Sequence, residues 1–142
     1  MRSFDELATR LLGSWDLQGS HPLLPGDDIT GRATFEWLDG HKFLIWRSQY
    51  DHPQIPDAMA VIGWADDQLL MHYFDYRGVH RLYEVAVEGN QWRFWRDDAG
   101  FQQSFIARFD DEDTMSGRGR MNRDDAGWED DLAMTFRRRT AG

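Results

Sequence analysis

Turn signals recur along this chain too closely for helices to fit between them, and that spacing constrains the fold more than any other feature. From residue 13 onward, segments of roughly 7–12 residues alternate with turns rich in Gly, Pro, Asn and Asp, and no second helix-length pattern appears. The spacing predicts ten strands, at 14–20, 29–38, 41–50, 58–64, 68–75, 79–87, 90–96, 101–109, 114–121 and 127–138. Short strands at regular intervals predict an antiparallel sandwich or barrel. One short helix precedes them. Ser3 is its N-cap, Glu6 its capping-box partner, Phe4, Leu7, Ala8, Leu11 and Leu12 follow helical spacing, and Gly13 fits the stop. The 142 residues carry no linker or low-complexity tract, so a single domain over 1–142 is expected.

The turns also predict which side chains share a face. Asp39-Gly40 as a two-residue loop opposes Trp37 with Lys42, Phe35 with Leu44 and Ala33 with Trp46. Tyr76-Arg77-Gly78 as a three-residue loop opposes Tyr73 with Arg81 and Met71 with Tyr83. Glu88-Gly89 then opposes Tyr83 with Phe94 and Arg81 with Arg96, and a loop at 97–100 carries the face on to Phe101, Gln103 and Phe105. Three inner rows follow: Leu69-Val85-Trp92-Phe105, Met71-Tyr83-Phe94-Gln103 and Tyr73-Arg81-Arg96-Phe101. Phe43, Ile45, Leu82 and Trp95 fall on the outside, where a second subunit or another partner, or for Phe43 and Ile45 the amino-terminal helix, could cover them.

Composition excludes several functions. The 25 acidic residues outnumber the 16 basic ones, for a net charge of −9, which argues against a nucleic-acid partner. With no cysteine there is no disulfide framework, thiolate metal site or cysteine nucleophile. No apolar run approaches the ~18 residues of a membrane span, and the first residues lack a signal peptide's apolar core. The expectation is a cytoplasmic protein with no membrane partner. The runs Asp110-Asp111-Glu112-Asp113 and Asp124-Asp125 read as solvated turns without calcium-loop spacing. Gly117-Arg118-Gly119-Arg120 precedes no helix, so it is not a phosphate loop. His72 and His80 read as outer-face residues, and no metal site is expected.

Gly13-Ser14-Trp15, opening the first strand, resembles the G-x-W signature of the calycins, the superfamily of lipocalins, fatty-acid-binding proteins and their relatives. The resemblance implies a barrel whose closed end carries a basic residue of the last strand across Trp15, and Arg137, Arg138 and Arg139 end that strand here. Ten strands look most like the fatty-acid-binding and nitrobindin branch. The stretches ITGRATFEWLDG, YFDYRGVHRLYE and WRFWRDDAGFQQSF also resemble a group of bacterial calycin-like proteins. The implied fold is all-β: a ten-stranded antiparallel up-and-down barrel with a short N-terminal helix, and the implied class is ligand binding. This chain departs from the pattern in three ways. Residues 20–28 form a short Pro-containing loop instead of a two-helix lid. Arg81-Leu82-Tyr83 stands mid-barrel, whereas the Arg-x-Tyr of fatty-acid-binding proteins is on the final strand. All five histidines (21, 41, 52, 72 and 80) precede the late strands from which nitrobindin-like proteins ligate haem, so no cofactor is carried over.

In a meander alternate loops gather at one end, and the Tyr73-Arg81-Arg96-Phe101 row lies nearest the mouth formed by the loops at 20–28, 51–57, 75–78, 97–100 and 122–127. Two opposed guanidiniums repel, and burying them is costly without an anion. A small amphipathic anion held by Arg81 and Arg96, with Tyr73, Tyr83 and Tyr50 assisting, would satisfy both. Trp46, Phe94, Phe101 and Gln103 would line the space for its body. Asp75 or Asp130 could instead neutralise either arginine from within. Two further readings stand beside a small-molecule ligand. In one, His21 or His52, in the repeated His-Pro-x-x-Pro loops, acts as a general base with Asp27, Asp28, Asp51 or Asp57. In the other, the aromatic interior is only core and the outward apolar residues form a homodimer or partner surface.

Overall fold

Alternation of period two runs through the strands, and the chain closes it into a barrel. In the computed structural model, which describes residues 2–139, a helix α1 (Arg2–Leu11) is followed by ten strands. They are β1 (Gly13–Ser20), β2 (Ile29–Trp37), β3 (Phe43–Tyr50), β4 (Ala58–Ala65), β5 (Gln68–Asp75), β6 (His80–Glu88), β7 (Gln91–Asp98), β8 (Phe101–Asp111), β9 (Thr114–Arg123) and β10 (Trp128–Arg138). Each strand pairs antiparallel with its sequence neighbours, and β1 also pairs with β10, which removes both sheet edges. The expected ten-stranded up-and-down barrel with its short helix is the fold observed.

Three hairpins differ from the predicted pairing by two residues, and each difference has a local cause. In the β2–β3 hairpin, positive φ falls at Gly40 (97°) and His41 (56°), and Leu38 N–H reaches Phe43 C=O at 2.8 Å. The loop is therefore 39–42, and Phe35 faces Trp46 rather than Leu44. Gly89-Asn90 turns between β6 and β7, so Val85, not Tyr83, faces Phe94. Ala99-Gly100 turns between β7 and β8, pairing Arg96 with Gln103 and Phe94 with Phe105. The β5–β6 hairpin pairs as expected, Tyr73 with Arg81 and Met71 with Tyr83. A slip of two keeps every side chain on its predicted face. It nonetheless breaks the Arg81–Arg96 opposition, because continuing the β6–β7 register brings Arg96 level with Tyr83.

The closed end is built on Trp15. Ser3, expected as the helix cap, lies in the first turn of α1. Phe4, Leu7, Ala8 and Leu11 turn inward and are buried. Phe4 meets Trp37 edge to face at 5.9 Å, and Arg10 donates to the side-chain Oδ1 of Asn90 at 3.0 Å, so the helix stoppers the end where the β2–β3 and β6–β7 turns lie. Gly13, at φ 117°, lets the chain pass straight from helix to strand in a conformation other residues resist. Trp15 is fully buried, and its Nε1 donates to Leu11 C=O at 2.8 Å. Arg138 lies over the indole at 4.2 Å. Its guanidinium donates to the carbonyls of Leu12 (2.7 Å), Arg10 (2.5 Å) and Glu112 (3.2 Å) and pairs with Asp113 at 3.2 Å. It thus serves the otherwise unsatisfied carbonyls at the end of α1. Arg137 has the opposite parity: it is exposed, level with Asp16, and does not cross the tryptophan.

On the outer wall, Phe43 (37% exposed) and Leu82 (46%) remain open to solvent, while Arg93 lies over Trp95 at 4.3 Å. In β9, Arg118 and Arg120 point outward, and the alternating Gly117 and Gly119 are buried. A Cβ on Gly117 would stand 2.3 Å from the Phe105 ring.

Candidate functional site

The open half of the barrel holds a cavity of about 430 Å³, within the range of small-molecule sites. Its floor is aromatic: Trp46 stacks on Phe35 at 5.2 Å and meets Phe94 edge-on at 6.0 Å, and Phe94 stacks on Phe105 at 5.1 Å. Its mouth is formed by Leu23 from the 20–28 loop and by Ile55 and Pro56 from the 51–57 loop. Trp46, Tyr50, Tyr73, Arg81, Tyr83, Phe94, Phe101 and Gln103 all line it. Arg96 does not. It turns to Asp98, to which its terminal nitrogen donates, and its buried Nε has no partner.

Three arginines line the cavity, Arg77, Arg81 and Arg123, and Arg81 is the one with no carboxylate partner among the described residues. It sits between the rings of Phe101 (5.3 Å) and Tyr73 (5.9 Å), donates to Gln103 Oε1 at 3.4 Å and lies beside the Tyr83 hydroxyl. Neither carboxylate expected to neutralise it does so. Asp75 is held by Arg77 at 2.6 Å and by the Tyr73 hydroxyl at 2.8 Å. Asp130 points outward toward Arg120 at 3.8 Å. Among the described residues no carboxylate forms a salt bridge with Arg81.

A bulge brings a different acid inside. β10 advances three residues from Asp130 to Ala133 while β9 moves back two, from Arg120 to Arg118. Asp131 and Leu132 consequently both face the cavity. Asp131 was not singled out from the sequence. A signal existed: Met134 and Phe136 face inward, and the same parity run back along β10 would put Asp130 and Trp128 inside too. An isolated carboxylate at an inward position marks a break in alternation. Asp131 accepts from His21 Nε2 at 2.9 Å and from Gln103 Nε2 at 3.3 Å.

Both His-Pro-x-x-Pro loops fold on the same device. Leu23 N–H donates to His21 Nδ1 at 3.0 Å, and Gln54 N–H donates to His52 Nδ1 at 3.1 Å. An Nδ1 that accepts leaves the proton on Nε2, which in each case faces a carboxylate: Asp131 for His21, and Asp27 at 3.1 Å for His52. The second contact ties one mouth loop to the other. Neither imidazole offers a free basic nitrogen, so the general-base expectation for these residues loses its geometric support. His72 and His80 stack at 5.8 Å on the outer wall, and no group of three potential metal ligands occurs among the described residues.

Burial acts on the tyrosines of the site. It raises the Tyr50 and Tyr83 hydroxyl pKa values, with nearby Arg81 partly opposing the shift at Tyr83. At Tyr73 burial and the bond to Asp75 both push upward. All three hydroxyls therefore stay protonated at neutral pH. Asp75 is drawn down from 3.8 to about 2, first by the Arg77 side chain and then by the Tyr73 hydroxyl.

Fold and cavity together define a closed ten-stranded antiparallel β-barrel with one open and one stoppered end. No protein-family model and no curated protein matches the sequence. Among solved structures, Rv2717c from M. tuberculosis is similar over 99% of both chains at 15% identity, with a TM-score of 0.70. The S-type phycobiliprotein lyase CPES from Guillardia theta is similar over 98% of this chain and 94% of its own, at 9% identity and a TM-score of 0.60. A redesigned β-barrel is similar over 94% and 95%, at 11% identity and a TM-score of 0.52. At these identities the likeness is one of fold.

Proposed function

We propose that this protein binds a small, mostly apolar molecule inside its barrel, with the molecule's polar end at Arg81. One observation carries the reading: a guanidinium faces a 430 Å³ cavity with only neutral neighbours, Gln103 at 3.4 Å and the Tyr83 hydroxyl, and no salt bridge among the described residues. A group in that position is stabilised by an acceptor that enters from outside, either a carbonyl or a carboxylate. The aromatic floor takes the apolar body. The twin-arginine clamp expected from the sequence is replaced by a single arginine, since Arg96 is engaged by Asp98. The enzyme alternative is weakened by the engagement of both nitrogens of His21 and of His52.

The test is titration with N-phenyl-1-naphthylamine, a neutral fluorophore that reports an apolar site. Saturable one-to-one binding to the wild type is expected, together with its loss in Ala58→Trp, a variant that fills the cavity from the wall of β4. Equal signals from the two proteins, with circular dichroism showing both folded, would place the fluorophore elsewhere and overturn the reading.

A further inference from the structure

The polar end of the cavity has a direction, and that direction selects among ligands. Arg81 can only donate, so the atom of Gln103 facing it is the amide oxygen, which also accepts from the Tyr83 hydroxyl at 2.7 Å. The Gln103 nitrogen then faces Asp131, which must accept. From the other side, the backbone N–H of Leu23 can also only donate, which makes His21 Nδ1 an acceptor and Nε2 a second donor to Asp131. Two donor-only groups at opposite ends thus orient the whole chain, with its acceptor at Asp131.

The unused hydrogen-bonding capacity follows. Arg81 carries five N–H groups, more than its neighbours Gln103 and Tyr83 can take up. The Tyr73 hydroxyl gives its proton to Asp75 and the Tyr83 hydroxyl gives its proton to Gln103, so both oxygens offer only lone pairs to the cavity. Asp131 has lone pairs beyond the two already engaged. Charge is balanced as well. Arg77 is paired with Asp75, Arg96 with Asp98 and Arg123 with Glu129, leaving Arg81 and Asp131 as a cation and an anion joined through one amide.

Resting on the cavity reading above, we infer that the ligand's polar end is a neutral group with an acceptor beside an N–H donor, such as a carboxamide, lactam or ureide, and not a carboxylate. A carbonyl oxygen would take the N–H groups of Arg81, while the adjacent N–H would meet the oxygens of Asp131, Tyr73 or Tyr83. A carboxylate brings no donor and sets a second negative charge near Asp131 in a site of low dielectric.

The experiment uses an isosteric pair, 2-naphthamide and 2-naphthoate, each displacing N-phenyl-1-naphthylamine from the full-length protein. The wild type is expected to bind the amide at least tenfold more tightly than the carboxylate. Asp131→Asn should shrink that ratio severalfold by removing the anion and adding a donor. The wild-type ratio alone decides the matter if the variant does not fold. Equal affinities, or preference for the carboxylate, overturn the inference and leave the cavity reading intact. Displacement by neither compound, with the fluorophore still bound, also overturns it. Failure of the fluorophore itself to bind overturns the cavity reading and this inference together.

Discussion

Arg138 and Arg81 are alike in chemistry and opposite in circumstance. Each lies against aromatic rings on a barrel wall, one at the stoppered end and one at the open end. Arg138 has three carbonyls, a carboxylate and the Trp15 face within bonding range. Arg81 has an amide oxygen at 3.4 Å and the Tyr83 hydroxyl, and no carboxylate among the described residues. Where four of the five N–H groups are placed, removing the arginine exposes a set of orphaned acceptors and the fold weakens. Where donors are left over, the arginine adds little to the fold, and on the proposed reading a ligand's acceptor would take them.

The largest expected effect breaks the closed end. Arg138→Leu should lower unfolding free energy by about 3 kcal/mol in urea, because it orphans the α1 carbonyls and uncovers Trp15. Arg81→Met in the same assay should change stability by less than about 1 kcal/mol in either direction. A comparable loss in the two variants would erase the contrast between the ends.

The mouth also contains one fully served acid, which sharpens the comparison. Asp75 has a buried side chain that accepts from Arg77 and Tyr73. Its pKa is depressed to about 2, so its stabilisation is present above the unfolded value near 3.8 and is lost as pH falls from about 5 toward 2. Asp75→Asn should therefore cost about 2 kcal/mol at pH 7, an upper figure given that Arg77 is half exposed, and should flatten that part of the stability–pH curve. An unchanged curve would mean that another carboxylate dominates acid unfolding.

The smallest effects separate the two mouth loops. His52→Ala removes a cap on Gln54 N–H and a contact to the half-exposed Asp27, with an expected cost under about 1 kcal/mol. His21→Ala removes the equivalent cap on Leu23 N–H and also a partner of the partly buried Asp131, so it should cost more and speed dissociation of N-phenyl-1-naphthylamine. Equal behaviour of the two variants in stopped-flow dissociation would uncouple the 20–28 loop from the cavity.

The sequence by itself determined the strand count, the antiparallel meander and the inward set, because alternation of period two survives any register slip of two residues. That is why Trp46, Tyr73, Arg81, Tyr83 and Gln103 could be assigned to the interior although three hairpins pair two residues away from expectation. It also indicated that a terminal arginine would meet Trp15, since the last strand must return beside the first. Only the tertiary structure decided which arginine crosses the tryptophan, which one stays in the cavity and which acid joins it. The turn conformers at His41, Gly89 and Gly100 set the loop lengths, and with them whether Arg96 faces Arg81 or its own neighbour Asp98. The bulge that delivers Asp131 lies between Asp130 and Ala133, where β10 runs past its last pair with β1, Ser20 opposite Ala133, and must stay matched to β9. Closure imposes that constraint on all ten strands at once, and no local run of residues contains it.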